Sequence, residues 1–182
     1  MSYGYQISLR IQERIVTSDE IRHKLELRDI LAREQMVRLL VEALVDVGFA
    51  RADQNTLVRD DGQGLLSSVD LATLEVTTST DHERVIDVEV SRSVRTENNN
   101  AAEAGRVLRA EVMADERLAA NRDLIQRLEA GECARVEELN RVLERVYSKA
   151  LKTRAAQLGD VVEMHEGTNA DGQYELVIKI EL

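Results

Sequence analysis

No proline interrupts this chain anywhere. From about Asn98 to Leu158 it is a dense mixture of Arg, Glu, Ala and Leu with Gly131 near the middle. A run of that kind has little choice but to be helical, because its residues are strong helix formers and nothing in it breaks the backbone ladder. Ala104, Val107, Ala114, Leu118, Ile125 and Leu128 recur at three- and four-residue steps or their sums. Val136, Leu139, Leu143, Val146 and Ala150 do so again beyond the glycine. Each set falls on one helix face, since an α-helix turns once in about 3.6 residues.

Gly131 divides two readings. A continuous helix of about 60 residues would be about 90 Å long at ~1.5 Å per residue. A helical hairpin reversing near Gly131 would return the chain to its starting point, and glycine is favoured just past a helix end. The hairpin is preferred, because two strand-like segments follow Leu158 and are expected to rejoin the earlier strands. Dimerisation through the run would make the continuous helix acceptable. Either form leaves an apolar face needing a cover, so Leu118, Ile125, Leu128, Val136, Leu139, Leu143 and Val146 are the candidate interface residues.

Outside the run the period changes to two. Tyr5, Ile7, Leu9 and Ile11 alternate with polar residues, which marks a half-buried strand. Thr17–Glu20 breaks the alternation, and a packed-down loop is expected through Leu31. Met36, Leu40, Ala43, Leu44 and Val47 then give a helix over Ala32–Val47, stopped by Gly48. Phe49–Glu97 reads as a meander with turns at Asp60–Gly64, at Leu71–Thr73, where the alternation changes phase, and at Asp81–Glu83. Asn98–Asn100 offers an N-cap to the run. Val162 and Met164 start a short strand, residues 168–172 form a turn, and Tyr174, Leu176, Ile178, Ile180 and Leu182 alternate most regularly of all.

The expected class is α+β: an antiparallel sheet with one packed helix and a long helical hairpin, or coiled-coil-like arm, inserted before the last two strands. Residues 1–97 would form the first part of the α+β domain, 98–158 the arm, and 159–182 the strands that complete the sheet.

Charge narrows the function. The net charge is −10, with 24 basic against 34 acidic residues and only four lysines. Nucleic-acid binding needs basic patches for phosphate, so it is not expected. Lys149, Lys152 and Arg154 read as a solvated last helical turn. Neither a leader nor an apolar membrane span is visible, so a cytoplasmic protein is expected. Cys133 is the single cysteine, and His23, His82 and His165 are scattered, which is no ligand spacing for zinc. Neither a phosphate loop nor a nucleophile elbow is present. Asp60, Asp61, Asp70, Asp87 and Glu89 could support a metal-dependent hydrolase only by converging. A turn and the polar face of a strand explain them as well.

Two stretches carry a resemblance: Tyr5–Ile11 with Lys24–Leu27 and Met36–Gly48, and Ala150–Gly159 running into Tyr174–Leu182. Together they resemble the small accessory proteins of bacterial ternary systems. Those systems combine an FtsH-type AAA+ ATPase, a MoxR-type AAA+ ATPase and a von Willebrand A protein, and are thought to act in biological conflict and defence. The resemblance implies a non-enzymatic adaptor or recognition subunit with protein partners, the ATPases or the von Willebrand A protein, and it carries over no catalytic, cofactor or metal residues. The alternatives are a structural coiled-coil homo-oligomer and the carboxylate hydrolase.

Overall fold

The computed structural model describes residues 3–96, 101–168 and 174–181. The caps expected at Asn98–Asn100, most of the turn expected at 168–172, the side chains of Tyr5 and Val94, and Leu182 lie outside the described residues. The elements are β1 (Tyr3–Lys24), α1 (Arg33–Asp46), β2 (Ala50–Arg51), β3 (Thr56–Gly62), β4 (Leu65–Asp70), β5 (Glu75–Thr96), α2 (Ala101–Ala130), α3 (Glu132–Leu158), β6 (Asp160–Thr168) and β7 (Tyr174–Glu181). The class is α+β. An antiparallel five-stranded sheet has the order β1-β5-β4-β3-β2.

The chain divides into two compact units. Residues 1–21, 62–65 and 79–130 make the first. Its ribbon is β1 against the later part of β5, with Ile11, Ile15, Ile86 and Met113 closing a small core. β1 and β5 each run 22 residues. The turn expected at Asp81–Glu83 and the first part of the loop expected after Thr17, up to Lys24, are therefore strand, while residues 25–31 are the irregular, packed-down segment expected, with Leu25 and Leu31 buried. Neither segment contains Gly or Pro, and each satisfies the other: Thr17 Oγ1 donates to the His82 carbonyl at 3.5 Å, and Arg14 pairs with Glu83. Arg10 forks onto Asp87 at 2.9 and 2.7 Å, and this pairing, with Gln12 beside it, holds the Asp87 carboxyl down at about 2. Along α2, Arg92–Glu111 (2.5 Å) and Arg84–Glu116 (3.5 Å) tie helix to ribbon.

Residues 22–61, 66–78 and 131–182 make the second unit. Met36, Leu40, Ala43 and Leu44 of α1 meet Val142, Val146 and Ala150 of α3 over Leu57, Val69 and Val76 of the sheet. α1 ends as its sequence predicts. Gly48 takes φ 95°, its N–H donates to the Val45 carbonyl at 3.0 Å, and Phe49 N–H reaches the Leu44 carbonyl at 3.1 Å. The turn at Leu71–Thr73 is also found. Asp70 Oδ1 accepts from the backbone of Ala72 (2.7 Å) and Thr73 (3.0 Å), and Leu74 takes φ 58°.

Two features of the later chain differ in form from the preferred reading. The break does fall at Gly131, but that one residue is all that separates α2 from α3, too short a link for the loop of a helical hairpin. Gly131 is the N-cap of α3, with φ −106° and ψ 2°, and its carbonyl accepts the first bond of that helix from Arg135 N–H at 3.0 Å. The last two strands pair with each other, Met164 opposite Ile178 and Glu166 opposite Leu176, in a sheet of their own instead of completing the larger one. That hairpin packs on α3, which supplies part of the cover its apolar face needs.

Candidate partner-binding surfaces

α3 presents two adjoining faces. Leu139, Val142, Val146 and Ala150 point into the core of the second unit. One step around the helix, Val136, Asn140, Leu143 and Tyr147 recur at three- and four-residue steps and face a groove of about 500 Å³. The opposite wall is the segment 23–28, where β1 ends and the backbone becomes irregular. Leu25 anchors that wall: it is buried and its N–H donates to the Leu74 carbonyl at 2.8 Å. Tyr147 ties the two walls together. Its hydroxyl donates to the Glu26 carbonyl and accepts from Arg28 N–H at 3.3 Å. His23 Nε2 contacts Glu132 Oε1 at one end.

The floor of this groove is apolar and its lip is charged. Lys24, Glu26 and Arg28 are all exposed there. Neither Lys24 nor Arg28 has an ion-pair partner among the described residues. In a chain of charge −10, this lip carries two free cations against one carboxylate.

The predicted interface residues separate into three kinds. Val136 and Leu143 are half-buried and line the groove with Leu139, which is also core. Leu128 and Val146 are fully inside. Leu118 and Ile125 stand out, 54% and 43% exposed, with Val107 on the same side of α2. The buried face of α2 is instead Leu108, Met113, Ala120, Leu124 and Leu128. Two apolar stripes compete on that helix, and spacing alone did not choose between them.

A second hollow, about 430 Å³, lies between α1, α3 and the β6–β7 hairpin. Its centre is Glu166. Lys152 Nζ donates to one carboxylate oxygen at 2.5 Å, and Tyr174 Oη (2.6 Å) and Ser148 Oγ (3.1 Å) donate to the other. Together these donors hold the carboxyl down at about 2, against an ordinary 4.5. A carboxyl depressed on folding stabilises above its unfolded value and loses that contribution as pH falls toward its folded one. The hairpin should therefore loosen from α3 between pH 4.5 and 2. Lys152→Met should raise the Glu166 titration midpoint toward 4.5 in a carboxyl NMR titration, and an unmoved midpoint would show that Lys152 does not hold it.

The candidate hydrolase residues do not assemble. Asp61 is engaged by Arg59 and Ser67, Asp70 caps a turn, and Asp87 is held by Arg10 and Gln12. Among the described residues no group of three His, Cys, Asp or Glu could hold a metal ion. Cys133 is exposed and unbridged. Lys149, Lys152 and Arg154 are not in the last turn of α3, which runs on to Leu158 without a basic residue there; Lys149 and Lys152 meet Glu42 and Glu166 instead. Among the described residues no helix is long and apolar enough to cross a membrane.

A family model described as FtsH ternary system domain X5 matches residues 1–182. No curated protein and no solved structure matches the chain.

Proposed function

Since the chain belongs to the FtsH ternary system domain X5 family, we propose that it serves that system as a non-catalytic recognition subunit whose α3 groove receives a segment of a partner protein. The observation that carries this reading is the groove itself: an apolar floor of Leu25, Val136, Leu139 and Leu143 beneath the unpaired cations Lys24 and Arg28. Such a surface suits a segment with one apolar anchor flanked by acidic residues. The partners that fit the family are the AAA+ ATPases and the von Willebrand A protein of the same system.

The test measures binding of the purified chain to each of those components by interferometry. Lys24→Glu with Arg28→Glu should weaken binding at least about tenfold, and the wild-type interaction should weaken with added salt. Both side chains are exposed, so the melting curve should not move. An unchanged affinity would remove the groove from the interface.

A second reading has its own observation. Val107, Leu118 and Ile125 form an exposed apolar line on α2, which favours a coiled-coil oligomer. Leu118→Asp with Ile125→Asp should then halve the molar mass in solution. A wild-type mass of 20.5 kDa would exclude it.

A further inference from the structure

β7 is the most regularly alternating strand of the chain, yet its outer edge pairs with no strand among the described residues. Its apolar face is only half covered. Leu176, Ile178 and Ile180 are half-buried, and Tyr174 and Met164, which lies opposite Ile178, are exposed. A two-stranded hairpin is marginal in water, and an open flat edge is a template for another strand. Two of the usual protections are missing from β7, since it contains no proline and the hairpin's irregularity lies in β6, between Val161 and Glu163; its charges Glu175 and Lys179 are opposite in sign and can pair across a two-fold axis.

The sequence of β7 is complementary to itself. A two-fold axis normal to the sheet pairs two copies antiparallel and keeps each side chain on its own face, so only registers centred on a residue are possible. Centring on Val177 places Glu175 opposite Lys179 of the second copy, twice, with Val177 opposite Val177. On the other face it sets Leu176 opposite Ile178 and Tyr174 opposite Ile180, all apolar. Centring on Ile178 would oppose Glu175 to Glu181, and centring on Leu176 would lose both Glu–Lys pairs. Charge and pattern thus select one register.

We propose that β7 pairs with β7 of a second copy of this chain about a two-fold axis at Val177, joining two hairpins into one four-stranded sheet. Pairing satisfies the open backbone edge and extends the apolar face across the axis. Glu175 and Lys179 are exposed, and the one ion pair Lys179 makes among the described residues, with Glu163, is a loose 3.8 Å contact.

The experiment is sedimentation equilibrium on the full chain and two variants, Glu175→Lys and Lys179→Glu. The wild type should self-associate toward twice 20.5 kDa. Each variant alone should dissociate at least about tenfold more readily, because both pairs become like-charged. Mixed in equal amounts, the two variants should associate again, since every pair in the mixed dimer is then opposite in sign. Rescue on mixing is a result that impaired folding of either variant cannot imitate. A wild type that stays monomeric at millimolar concentration, variants that associate as the wild type does, or a mixture without rescue would each overturn the proposal. Dissociation by Leu118→Asp with Ile125→Asp, while both β7 variants still associate, would also overturn it and assign the dimer to α2.

Discussion

Arg59→Met is expected to cost the second unit about 3 kcal/mol. Arg59 lies on β3 with its side chain 17% exposed, and it binds in four directions. Nε donates to Asp61 Oδ1 at 2.6 Å, one terminal nitrogen to Glu138 Oε2 at 2.7 Å, and the other to the Val47 carbonyl at 2.9 Å. Its guanidinium carbon sits 4.6 Å from the centre of the Phe49 ring. One side chain thus joins the end of α1, the sheet and α3. Methionine fills the space but leaves Glu138 and the Val47 carbonyl without this donor and Asp61 with Ser67 alone. Removing one partner of a buried ion pair typically costs about 3–5 kcal/mol. The lower end applies because Glu138 is 36% exposed and can rehydrate. Urea unfolding measures the loss, and a change below about 1 kcal/mol would show that solvent already screens the group.

That network shows where sequence reading stops. Arg59 and Glu138 are 79 residues apart, and nothing local marks either as the other's partner. α1 was legible because its period is uninterrupted and Gly48 ends it with the one backbone conformation glycine favours. The phase change at Leu71–Thr73 was legible because a face swap in a strand must be a bulge or a turn. The long strands were not, because polar residues such as Thr17–Glu20 look alike in a loop and in a solvated ribbon. Only the distant partners His82 and Glu83 decide between them. The candidate site divides the same way. Val136, Leu139 and Leu143 were visible as a helical stripe, whereas the opposite wall comes from residues 23–28, more than a hundred positions earlier. Tyr147 was missed, although one of only four tyrosines, four residues past Leu143, was a usable signal.

Gly159→Ala is expected to release the β6–β7 hairpin from α3. The strain is spatial, since Gly159 has φ 174°, an extended conformation open to any residue. A Cβ there would clash with the Glu181 carbonyl oxygen and stand 2.8 Å from Ile180 Cγ2. A flexible side chain could swing away, but a strand carbonyl moves only with its strand. Overpacking typically costs 1–3 kcal/mol, and an obstructing backbone puts this case near about 3. Three readouts should move together. Amide exchange in β6 and β7 should quicken while α1 keeps its protection, because α1 is held by the separate core around Met36 and Leu40. The Glu166 midpoint should climb from about 2 toward 4.5 as Lys152, Ser148 and Tyr174 leave it. Self-association through β7 should fall, since a displaced hairpin no longer offers a fixed edge. Unchanged exchange and an unchanged midpoint would mean that β7 slides without letting go, and that Gly159 is not what seats the hairpin on the helix.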